Sequence, residues 1–196
     1  LAACQAGSLP TPPRPPAGGV AGLAVIPPCP SGVTATLNTG MTVVFEGAEP
    51  HDPAVCLRRI NGRTYRYFLG FWGDGRFHEG TDAERAAIRR VLTGPVGTTA
   101  DFPLRRPTRL SLWHAATISH LGNPSLRLDH HVERRTILLR VERHGPPDRP
   151  DVATETLWWL DRATLIPLKR EEVVHLVHGT DRQTAWEVQS LLPVPG

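Results

Sequence analysis

Two stretches of this chain carry side chains that can act as acids, bases or metal ligands. Ser119-His120 and Asp129-His130-His131 supply the residue types of a hydrolytic triad. In such a triad an imidazole takes the proton of an attacking hydroxyl and a carboxylate orients the imidazole. The loop 119–131 also holds the turn Gly122-Asn123-Pro124, and nothing in its spacing brings the three types together. A polar loop is the simpler reading, and no catalytic residue is assigned. A nucleophile on a strained Gly-x-Ser-x-Gly turn, a Gly-rich phosphate loop and a dinucleotide fingerprint are all absent from the sequence.

The nine histidines include His114, His120, the pair His130-His131, and His175 with His178. Zinc takes convergent His, Cys and carboxylate ligands. On a strand His130 and His131 leave opposite faces, as do His175 and His178. Neither a metal nor a cofactor is therefore expected.

The five tryptophans are a different kind of candidate. Trp72, Trp113, Trp158, Trp159 and Trp186 fall on separate strand-like runs, apart from the adjacent pair. Core packing is their default role. Together they could also line the groove of a curved sheet and hold an apolar ligand such as an acyl chain. Trp158 and Trp159 must point to opposite faces. Trp159, which shares its parity with Leu157, is expected to be the core member.

Positioning these residues requires a body with a real core. The chain has 196 residues, 40% apolar and 21% charged, enough for one domain with an extended arm. The net charge is +3, and all but one of the 22 basic residues are arginine, the exception being Lys169. That bias, with abundant Ala, Gly and Pro, reflects codon composition. The arginines are interleaved with acids, as in Arg170-Glu171-Glu172, with no basic stripe for nucleic acid.

From residue 33 the pattern has period two. Met41, Val43 and Phe45 share one parity, as do Tyr65, Tyr67, Leu69 and Phe71, then Leu110 and Leu112, then Ile137, Leu139 and Val141, then Trp186 and Val188. These are antiparallel-style strands with one drier face. Asn61-Gly62 between runs 54–60 and 63–71 reads as a two-residue hairpin. One segment is helical: Thr81 and Glu84 have capping-box spacing, Ala87, Ile88, Val91 and Leu92 share a face, and Gly94-Pro95 ends it. The helix is placed at 82–93. In Thr156–Glu171, Asp161 and Thr164 bracket a turn, with Asp161 set to accept nearby N–H groups and Pro167 opening the return strand.

The chain opens Leu1-Ala2-Ala3-Cys4, followed by a Pro/Gly-rich segment with eight prolines in the first thirty residues. This resembles a bacterial lipobox, in which the cysteine becomes the first mature residue and carries diacylglycerol. The resemblance implies lipid attachment at Cys4, export, and a tether of polyproline character over 1–28 ahead of a single domain over 29–196. An aspartate after the lipidated cysteine marks inner-membrane lipoproteins. Gln5 stands there instead, which implies the outer membrane, with the domain in the periplasm. In an exported protein the remaining Cys29 and Cys56 are expected to form a disulfide, the alternatives being two free buried thiols or a metal pair, which the lack of any Cys-x-x-Cys spacing disfavours.

The line Trp159-x-Asp161-x-x-Thr164-x-x-Pro167-Leu168-Lys169 resembles a hairpin in uncharacterised exported bacterial proteins built like the lipoprotein-localisation factors. It implies a β-rich α+β domain: a curved antiparallel sheet, or half-barrel, packed on one short helix. The combined expectation is a lipid-anchored, non-enzymatic envelope protein that binds an apolar ligand, a lipid or another envelope component. The alternative is an envelope hydrolase or metal-binding enzyme using the loop 119–131.

Overall fold

A computed structural model describes residues 21–68, 81–103, 115–129, 132–145, 153–176 and 179–194. Four strands come first: β1 (Ser31–Leu37), β2 (Thr42–Glu49), β3 (Asp52–Ile60) and β4 (Arg63–Tyr67). The helix α1 (Asp82–Thr93) follows, then β5 (Thr99–Pro103), β6 (Ala115–Gly122), β7 (Ser125–Arg127), β8 (Glu133–His144), β9 (Ala153–Asp161), β10 (Pro167–Leu176) and β11 (Gly179–Pro193). All strands belong to one antiparallel sheet, ordered β4-β3-β2-β1-β11-β10-β9-β8-β6-β5, with β7 paired to β8. The sheet is curved and does not close into a barrel, and its one helix packs against it, the β-rich α+β architecture expected from the sequence.

Local chemistry fixes the elements. Thr81 Oγ1 accepts from the Glu84 N–H at 3.2 Å, and the Thr81 N–H donates to Glu84 Oε2 at 3.2 Å, so two otherwise orphaned donors at the helix start are satisfied. Asn61 and Gly62 take positive φ (49° and 74°), as the tight β3–β4 turn requires. At the β9–β10 turn Asp161 is buried and accepts from the Thr164 N–H at 3.1 Å and the Thr164 hydroxyl at 2.6 Å. Leu165 then enters the left-handed region (φ 57°), and Pro167 opens β10 opposite Leu160.

The apolar face of α1 (Ala87, Ile88, Val91, Leu92) is buried with Ile118, Ile137, Leu139, Trp158 and Leu160 on one part of the sheet. A second cluster around Leu37, Val43, Phe45 and Tyr67 fills the β1–β4 part, and Trp186 packs against both.

Two expectations are corrected. The residues read as tether extend too far: 21–28 lie on the domain. Leu23 is buried and its N–H donates to the Leu92 carbonyl at 2.8 Å. A Cβ on Gly22 would overlap the Thr93 and Gly94 carbonyls, so only glycine permits this approach. The second concerns the tryptophan pair. Trp158, 2% exposed, is the core residue, and Trp159 is only half-buried on the opposite face. Register decides this, because Trp158 pairs with Leu139 and so joins the face of Ile137 and Val141. Leu157, whose parity pointed to Trp159, is itself buried. It pairs with Arg140 and Glu171 on the opposite face from Trp158.

Candidate functional site

The strongest candidate is a cleft of about 350 Å³, where residues 25–30 cross between the helix and the β1–β4 part of the sheet. Its walls come from this arm, from Pro53, Ala54 and Cys56 on β3, from Tyr67 and Phe68, from Arg89 on α1, and from Thr164 and Leu165 in the β9–β10 turn. The volume lies within the range of small-molecule sites.

The arm is fastened at both ends. At its start Arg162 Nη2 donates to the Ala21 and Gly22 carbonyls, both at 3.2 Å, while Nη1 donates to Asn123 Oδ1 at 3.2 Å. At its end Cys29 is disulfide-bonded to Cys56, the bridge expected from the sequence, and the Gly47 N–H donates to the Pro30 carbonyl at 2.9 Å. Between these ties Pro27 and Pro28 have no N–H to add to a ladder, so they present ring surface to the cleft instead.

Polar groups in the cleft are few. Tyr67 is 3% exposed, and its hydroxyl finds no hydrogen-bond partner among the described residues. Burial pushes its phenol above the ordinary range, and the neighbouring Arg58, 5.4 Å from the ring centroid, only partly offsets this. Leaving such a group unpaired costs about 1–3 kcal/mol. Phe68 is fully buried, with the guanidinium carbons of Arg85 and Arg89 5.9 and 5.5 Å from its ring centroid. Beside the cleft, and sharing Ala54 and Arg89 with it, lies a more open recess of about 410 Å³ containing Asp52, Asp82 and Arg85.

The candidate tryptophan groove is divided by the fold. Trp158 and Trp186 meet edge to face, 5.9 Å between centroids, with Arg170 5.4 Å from the Trp158 centroid. Trp159 lies on the other face beneath Lys169, whose Nζ is 5.0 Å from its ring centroid and 2.8 Å from Glu171. Trp72 and Trp113 lie outside the described residues, as does Cys4.

The loop 119–131 yields no assembled triad among its described residues. His120 is fully buried, with Nδ1 3.2 Å from the Gly94 carbonyl and Nε2 2.9 Å from Asn123 Oδ1. Ser119 is also buried, but as its neighbour on β6 it leaves the opposite face. Asp129 is exposed, and His130 and His131 lie outside the described residues. Among the described residues no group of three His, Cys, Asp or Glu side chains is placed to hold a metal ion. No described helix is long and apolar enough to cross a membrane.

Sequence reasoning missed the cleft because two of its walls come from segments with no periodicity. The arm reads as linker by its prolines, and its only signal is Leu23, Val25 and Ile26 just ahead of Cys29. No known protein family, curated protein or solved structure matches this chain.

Proposed function

We propose that this protein is an exported, lipid-anchored module of the cell envelope that binds an apolar ligand without transforming it, and that the cleft under the arm is where the ligand sits. The cleft carries this reading: a recess of about 350 Å³ walled mainly by proline, aliphatic and aromatic side chains, whose polar side chains are a buried phenol, the Thr164 hydroxyl, which is hydrogen-bonded to Asp161, and one guanidinium. Such a lining can hold an apolar body and orient one polar end. The anchor reading rests on Leu1-Ala2-Ala3-Cys4 and the proline-rich run after it. The disulfide suits an oxidising compartment.

Titration with the neutral dye Nile red tests the ligand reading. The full chain should bind it saturably, and Ala54→Trp, which fills the cleft from β3, should abolish the binding while leaving the melting temperature close to wild type. Absence of saturable binding, or binding untouched by the filled cleft, would overturn it. Labelled palmitate fed to bacteria expressing the protein tests the anchor: the natural sequence should incorporate label, and Cys4→Ser should not.

A further inference from the structure

We infer that the ligand of this cleft is a single-chain amphiphile with an anionic head, bound with the head on Arg89 and the chain along Pro27, Pro28 and Leu165. The inference rests on the proposed reading of the cleft as a ligand site and specifies the ligand's chemistry.

Among the described residues Arg89 is the only charged side chain in the cleft lining, and it also borders the neighbouring recess. The recess carboxylates are engaged elsewhere. Asp82 lies 2.6 Å and Asp52 3.7 Å from the Arg85 guanidinium, one helical turn before Arg89. Arg89 makes no ion pair among the described residues, and its guanidinium carbon lies 5.5 Å from the Phe68 ring centroid. An exposed guanidinium of this kind keeps its fork of donors available for a carboxylate or phosphate. Asp52, Asp82, Arg85 and Arg89 sum to zero charge, so these four groups set up no net negative charge against an anion beside Arg89. Elsewhere in the lining, Pro27, Pro28 and Leu165 offer no side-chain donor, which suits an alkyl chain and disfavours a second charged end.

Calorimetric titration of the full chain with dodecanoate, dodecyl phosphate and dodecyltrimethylammonium below their micellar concentrations, and with dodecanol below its solubility limit, tests this. The two anions should bind about tenfold or more tightly than dodecyltrimethylammonium. Arg89→Gln should remove that advantage by weakening the anions far more than dodecanol, while Arg89→Lys should retain most of it. The tighter of the two anions identifies a fatty-acid-like or phospholipid-like head. Equal binding of anion and cation, or an unaltered anion preference in Arg89→Gln, would overturn the inference while leaving the cleft reading intact. Failure of all four probes, dodecanol included, would overturn both.

Discussion

Trp158 and Trp186, 28 residues apart in sequence, pack edge to face with ring centroids 5.9 Å apart, each opposite Arg170 in the sheet. This contact places Trp158 at the centre of the helix-side core, while Trp159 stacks under Lys169 on the other face. Trp158→Ala should therefore cost about 3–5 kcal/mol through lost burial and the cavity left behind. Trp159→Ala forfeits partial burial and a cation–π contact worth about 0.5–1 kcal/mol, and should cost clearly less. Urea unfolding of the two variants separates them, and equal midpoints would contradict the packing.

The Cys29–Cys56 bridge closes a separation of 27 residues and ties the arm to β3. On the chain-entropy account, opening it should lower stability by about 3–4 kcal/mol. Peptide mapping without reductant should recover the two cysteines in one linked peptide. The double variant Cys29→Ala, Cys56→Ala should melt lower and show faster proteolysis between residues 24 and 28, where Val25 is already 78% exposed.

Asp161 organises the β9–β10 turn from a buried position, accepting from both the backbone N–H and the hydroxyl of Thr164. Asp161→Ala should strand those donors and cost about 1–3 kcal/mol. Asp161→Asn keeps an acceptor oxygen and should recover part of the loss. Because Leu165 lines the cleft just after this turn, the alanine variant should also bind Nile red more weakly.

Tyr67 gives an alkaline signature. Its phenol is raised by burial, so between the ordinary phenol value of about 10 and the higher native value the folded state holds a proton that the unfolded state releases. Stability from this group is complete below about pH 10 and declines as pH rises further. Tyr67→Phe should flatten that decline. It should leave stability at neutral pH unchanged or slightly higher, since the hydroxyl lacks a partner among the described residues. A steep neutral-pH loss in Tyr67→Phe would show that the hydroxyl is bonded.

The sequence alone determined whatever depends on neighbours along the chain. The capping box at Thr81 and Glu84, the helix 82–93, the Asn61-Gly62 turn, the Asp161–Thr164 bracket and the alternation of Ile137, Leu139 and Val141 all appear in the structure where local chemistry put them. Each rests on hydrogen bonds or side-chain parity within a few residues, so no distant partner can change it. The disulfide was legible from the cysteine count, Cys29 and Cys56 being the two cysteines beyond the one at position 4.

Tertiary structure decided the rest. Leu157 and Leu160 have opposite parity and are both buried, so counting along β9 cannot tell which tryptophan faces the helix. The register with Leu139 on β8 does. The arm's docking was hidden because its prolines lower apolar density and its ties come from Leu92, Arg162 and Cys56, none of them near it in the chain. The cleft joins residues from positions 25 to 165, and Arg89 acquires its meaning there only because Arg85 occupies both neighbouring aspartates. Periodicity specifies which face of an element is dry. Which dry faces meet, and which charge is left over where they meet, depends on long-range pairing that only the folded chain expresses.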